Sequence, residues 1–159
     1  MKMFCMFYSL IVFTGCTDSV KMQQQIDDLT VQQTKTYKPG FGEFMSTIQV
    51  HHAKLWFAGK NSNWRLAEFE LNEIGESVEA IQKYLQERKE TQALPIILPV
   101  LDSVKIAVQQ QDQKLFVQQF TTLTKTCNAC HQSVQFEFNV VKIPDAPPFS
   151  NQDFTMSRQ

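Results

Sequence analysis

Glycine is scarce in this chain, five in 159 residues. Turn-rich all-β folds need it at bends and left-handed positions, so the shortage weighs against them. No apolar run reaches the roughly 18 residues that a membrane-spanning helix requires, and no such helix is expected. An excess of one charge is missing as well. Lys and Arg number 15 against 16 Asp and Glu, the formal net charge is −1, and nucleic-acid binding has no electrostatic support. Cysteine is limited to four residues. What the chain does have is apolar side chain: 43% of residues are hydrophobic and 13 are Phe, enough for the core of one domain, though not comfortably of two.

The opening "MKMFCMFYSLIVFTGCTDSV" places Lys2 before a short apolar stretch over residues 3–13, the pattern of a secretory signal. "FTGC" at 13–16 resembles the lipobox of bacterial lipoproteins, with Phe13 where Leu is usual. That resemblance implies a signal peptide over 1–15, a lipid on Cys16 and a membrane anchor. Thr17, not Asp, after the cysteine implies sorting to the outer membrane of a bacterium, facing the periplasm. The other reading is plain signal cleavage with Cys16 left free. Cys5 goes with the signal in either case, so only Cys127 and Cys130 remain in the folded part. A disulfide framework is excluded by number, apart from one bond between those two.

Residues 16–40 are polar and Gln-rich and read as a tether. Met22, Ile26 and Leu29 have helical spacing, so a short, weak helix that pairs with another copy and a flexible spacer are both open. "KPG" at 38–40 marks the start of the compact part. Four helical segments follow. The first spans about 41–58, with Phe41, Met45, Ile48, His52, Leu55 and Trp56 on one face, His51 on the solvated side and Gly59 as a C-terminal cap. The second begins after "GKNSN" and runs to "QERKE", with Ala67, Leu71, Ile74, Val78, Ile81 and Leu85 as its apolar stripe. The third starts near Pro99, because a proline inside a helix removes a backbone bond, and turns Leu101, Val104 and Val108 inward. The fourth starts at Asp112 and carries Phe116, Phe120, Leu123, Cys127, Cys130 and Val134 on one stripe, with His131 beside it. Four helices on short loops predict an all-α fold, an antiparallel up-and-down four-helix bundle over 41–136. Residues 137–159, with β-branched residues and three prolines, are expected as an extended strap anchored by Phe149 and Phe154.

"CNACH" at 127–131 is a C-x-x-C-H sequence, the attachment pattern of haem c. Two thiols form thioethers to the two vinyl groups on one porphyrin edge, and the histidine reaches the iron from one face. A structural zinc site needs four ligands, and there is no second cysteine pair. A redox dithiol is activated at a helix N-terminus, whereas these cysteines come late in their helix. One covalent haem c on Cys127, Cys130 and His131 is therefore expected, with His131 as the proximal iron ligand.

On "CNACH" near the end of the last helix, the chain resembles the cytochrome c′ class of exported four-helix-bundle haem proteins, including its six-coordinate relatives. "MSTIQVHHAKLWFAGKNSNW" and "PPFSNQDF" resemble a group of small bacterial haem lipoproteins of that class. The resemblance implies a distal methionine from the first helix. Met45 and His52 share its inward face about 10 Å apart along the axis, so only one can bind the iron. Met45 stands nearer the height of His131 in an antiparallel pair, with His52 the alternative. Lys54, Arg65 and Lys125 are candidates to pair with the haem propionates. The expected role is single-electron transfer to redox partner proteins of the periplasm or membrane. The alternatives are a five-coordinate haem that binds nitric oxide or carbon monoxide, and a haem-free structural lipoprotein with a redox dithiol. No catalytic constellation appears beyond the haem, so no enzyme is expected. By analogy with the class, a homodimer through the first helices is possible.

Overall fold

The computed structural model describes residues 16–36 and 39–155. The expected signal peptide over 1–15 lies outside the described residues, and so does the side chain of Cys16, the expected site of lipidation. The chain divides into two units, Met1–Lys38 and Pro39–Gln159. Among the described residues the fold is all-helical, with no strand.

The first unit contains helix α1, Cys16–Thr36. It is one continuous helix, longer than the short helix expected of the tether. Side-chain bonds one turn apart support it: Gln23 Nε2 donates to Asp27 Oδ1 at 3.0 Å, and Thr30 Oγ1 to the Ile26 carbonyl at 2.7 Å. Every side chain described in it, from Ser19 to Gln32, is exposed.

The second unit holds the core. Helix α2, Phe41–Lys60, buries Ile48, His52, Leu55, Ala58 and Gly59. Gly59 is not the left-handed cap expected of it. The helix runs past it to Lys60, and no glycine among the described residues has a positive φ. Gly59 is there because a Cβ at this position would sit inside the Phe116 ring. Left-handed backbone falls on Ser62 (φ 56°), Gln111 (φ 54°) and Gln135 (φ 66°) instead, each just beyond a helix end.

Helix α3, Trp64–Tyr84, begins where the Asn63 side chain accepts from the Leu66 amide at 3.3 Å. Its buried stripe is Ala67, Leu71, Ile74, Val78 and Ile81, as the spacing predicts, joined by the carboxylate of Glu70. A short helix α4, Lys89–Ala93, and a 3₁₀ turn, Leu94–Ile97, lead into α5, Leu98–Gln109. Pro99 lies in the first turn of α5, where a missing N–H costs no helix bond. Leu101, Val104 and Val108 are buried, as expected. An 18-residue window within Lys89–Gln109 has a mean hydropathy of 1.4, and length and composition would let it cross a membrane. Its inner face is nevertheless part of the helix packing, and the core helix of a folded domain passes the same test.

Helix α6, Gln113–Ser133, starts where Asp112 Oδ1 accepts from the Leu115 amide at 2.9 Å. Helix α2 packs on α3 and α6, and α5 packs on α3 and α6. Phe116 and Phe120 of α6 are fully buried in the middle. The Trp56 ring lies 5.0 Å from Phe120, and Trp64 meets Phe116 edge-on at 6.1 Å.

After α6 the chain has neither helix nor strand up to residue 155. Phe154 is buried, with its ring 5.7 Å from Phe57. Phe149, expected as a second anchor, stays exposed, with Lys54 Nζ 5.5 Å above its ring.

Candidate functional site

A cleft of about 270 Å³, partly open to solvent, forms where the first half of α2 meets the end of α6. Phe41, Met45, Ile48 and His52 line it from α2, and Val78 from α3. Cys127, Cys130 and His131 line it from α6, and Asn139 and Val141 from the segment beyond. The structure thus brings both thiols, the histidine of "CNACH" and both candidate distal residues to one wall-lined space. Within each helix the grouping follows from spacing. Residues 45, 48 and 52 recur at helical steps on α2, and so do 127, 130 and 131 on α6.

The thiols are free and half-buried. Burial is the main force on Cys127, pushing its thiol up to about 11, and the adjacent Cys130 adds to it. Burial also raises Cys130. Both therefore carry their protons at neutral pH, the opposite of the depressed thiol that thiolate redox chemistry needs. Among the described residues no three His, Cys, Asp or Glu side chains gather into a single metal-chelating group.

The two histidines of the cleft are fixed in opposite senses. His131 Nδ1 lies 2.6 Å from the Asn139 carbonyl oxygen. A carbonyl only accepts, so Nδ1 carries the proton and, in the neutral ring, Nε2 keeps its lone pair. His52 Nε2 lies 2.9 Å from Thr124 Oγ1. That hydroxyl already donates its one proton to the Phe120 carbonyl at 3.0 Å, so it accepts from His52 Nε2–H. Burial alone lowers the His52 ring from 6.5 to about 4, so it is neutral at pH 7. Its ring lies 4.4 Å from Phe120. An iron ligand at His52 would have to use Nδ1 or break the Thr124 bond. Met45 is partly buried against the core and lines the cleft seven residues nearer the start of α2.

The expected propionate partners lie elsewhere. Arg65 is at the second position of α3, 13 residues or about 20 Å along that helix from Val78. It is exposed and outside the cleft lining, as is Lys125. Lys54 faces α3, with Nζ 3.8 Å from Glu70 Oε1. Arg88 is the only Lys or Arg on the cleft wall among the described residues. Its guanidinium donates to Glu90 Oε1 at 3.2 Å and lies 5.6 Å over the Phe41 ring. That hydrogen bond holds the Glu90 carboxyl below its usual range.

Other residues went unread in the sequence. Thr124 was legible, since it stands four residues after Phe120 on the buried stripe. Arg88 sits in "QERKE", where it looks like an ordinary cation at a helix end. Glu70 shows no signal among five glutamates of one helix, and neither does His51, expected in solvent. His51 Nδ1 in fact meets the fully buried Glu70 Oε2 at 2.6 Å. A buried carboxylate needs such a partner, and α2–α3 packing supplies it.

Searches of protein-family models, of curated proteins and of solved structures match nothing to this chain.

Proposed function

We propose that the chain is an exported c-type cytochrome, held at a membrane by a lipid on Cys16, that carries single electrons on one covalent haem. In this reading α2, α3, α5 and α6 are the antiparallel up-and-down bundle of the cytochrome c′ class, and the segment after α6 is its strap. The observation that carries it is the shared wall of the cleft. Cys127, Cys130 and His131 line it together, and the His131 ring already has Nδ1 engaged and Nε2 free.

The residues fit a porphyrin. The lining is largely apolar, so a flat hydrocarbon ring gains by burial there, and Arg88 at the wall suits a carboxylate substituent. Cys127 and Cys130 would hold the group through thioether links, and with both thiols protonated the addition of S–H to a vinyl group would need no oxidant and no leaving group. The bound group supplies a reversible one-electron iron couple. His131 Nε2 would bind the iron. Met45 would supply a second ligand through its sulfur, and His52 would stay with Thr124 as packing. Helices α2 and α6, on a common aromatic core, hold the two ligands at a fixed separation, which keeps rearrangement between oxidation states small. Methionine in place of a second histidine raises the potential. The protonated thiols count against the redox-dithiol alternative.

Production in a bacterium that attaches haem c tests the reading. Mass spectrometry is expected to find one haem on the chain. The oxidised spectrum is expected to be low-spin, with the weak long-wavelength band of a methionine–iron bond. Met45→Ala is expected to give a high-spin spectrum. Bare polypeptide overturns the haem reading. High-spin wild type moves it to gas binding, and an unchanged spectrum in Met45→Ala moves the distal ligand to His52.

A further inference from the structure

The segment beyond α6 is tied to the cysteine-bearing turn through its backbone. Asn128, between the two cysteines, donates Nδ2 to the Val141 carbonyl at 2.8 Å. Its Oδ1 accepts from the Val141 amide, also at 2.8 Å. One side-chain amide thereby satisfies both backbone groups of one residue, which needs a donor and an acceptor in one plane. Two residues earlier, the Asn139 carbonyl accepts from His131 Nδ1. Asn128 and His131 are three residues apart, one above the other on α6. The helix turn and the extended chain thus meet at two matched points.

Packing does not hold this stretch. Every side chain from Phe136 to Val140 is exposed, Phe138 at 79% and Val140 at 72%. Its first residues are fixed by the left-handed turn at Gln135 and by the Phe136 amide on the His131 carbonyl at 2.8 Å. Between there and Val141 there is one further backbone–backbone bond, from the Asn139 amide to the Phe136 carbonyl at 2.9 Å. The downstream end is where Asn128 acts.

We propose that Asn128 is a positioning residue for the His131 imidazole. By clasping Val141 it keeps the Asn139 carbonyl on Nδ1, and so keeps the ring in the form whose Nε2 is free to bind a metal. This rests on the haem reading for what Nε2 binds, but not for the orientation. A carbonyl on the far nitrogen also makes the ligating nitrogen more basic, which favours the oxidised iron. Loosening the clasp therefore moves the potential upward.

The test uses the full chain, with and without haem attachment. Asn128→Ala removes both bonds. Asn128→Asp keeps the acceptor for the Val141 amide and loses the donor. Lys142→Ala, which removes only a surface ion pair with Asp145, is the control. In haem-free protein, nitrogen-15 NMR is expected to show a protected Nδ1 proton on His131. Its exchange should be about fivefold faster in Asn128→Ala, about one hydrogen bond's worth, intermediate in Asn128→Asp and unchanged in Lys142→Ala. In haem-loaded protein, Asn128→Ala is expected to shift the reduction potential upward. Equal exchange in Asn128→Ala and wild type, or an unprotected Nδ1 proton in wild type, overturns the proposal. A wild-type chain that attaches no haem overturns the functional reading instead, and the exchange rates still decide the orientation.

Discussion

His52 is held neutral by burial, and this has a consequence for pH. Its folded value is about 4 against 6.5 for a free ring. Between those values the unfolded chain binds a proton that the folded chain does not. Stability from this group is therefore complete above about pH 6.5 and is lost as pH falls toward 4, with a span of about 3 kcal/mol. In the haem-free chain, urea unfolding at pH 7 and pH 5 should show wild type losing about 2 kcal/mol more than His52→Gln, which keeps a donor for Thr124. Equal losses would mean that the ring is protonated in the folded state. At this scale the sequence was legible where chemistry depends on spacing: Cys127, Cys130, His131 and Met45 were read from steps along helices, and all four line one cleft. It was not legible where a residue's role depends on what another helix brings. Lys54 belongs to Glu70 because of how α2 is turned against α3, and Arg88 reaches the cleft from the loop between α3 and α4, placements that no local pattern encodes.

Among the helices, α2 and α6 approach closely at Gly59. Helix propensity alone would make Gly59→Ala stabilising by about 1 kcal/mol. Packing argues the reverse. The added methyl meets the Phe116 ring, which is boxed by Trp56, Trp64 and Phe120 and has nowhere to move. The expected outcome is a loss of about 1–3 kcal/mol, read as a lower denaturant midpoint at unchanged slope. A raised midpoint would show that the rings yield. The beginnings and ends of helices were largely visible beforehand. Asn63 and Asp112 cap α3 and α6, and Pro99 opens α5. Those signals are local, since a cap bonds an amide three residues on. Gly59 was misread because a glycine near a helix end has two possible reasons, a left-handed turn or a close neighbour, and only the neighbour's position separates them.

Taken as a whole, the chain keeps its core within Pro39–Gln159. The side chains described in α1 are all exposed, so removing residues 1–38 takes away no buried side chain described there. A chain beginning at Pro39 is expected to melt within about 2 °C of the longer one in differential scanning calorimetry. A larger drop would mean that α1 contributes to the core. From sequence alone came the helical class, most helix limits, the apolar stripes and the cysteine–histidine cluster, because helix periodicity and capping act within a few residues of each other. Tertiary structure alone decided which face of each helix meets which. It set the His51–Glu70 pair, the neutral His52 on Thr124 and the hold of Asn128 and Asn139 on the histidine turn. These contacts join residues 19 apart in the first case, 72 in the second and 13 and 8 in the last. Such pairings are fixed by how bulky side chains interlock when the helices close on one another, a property of the packed whole and of no single segment.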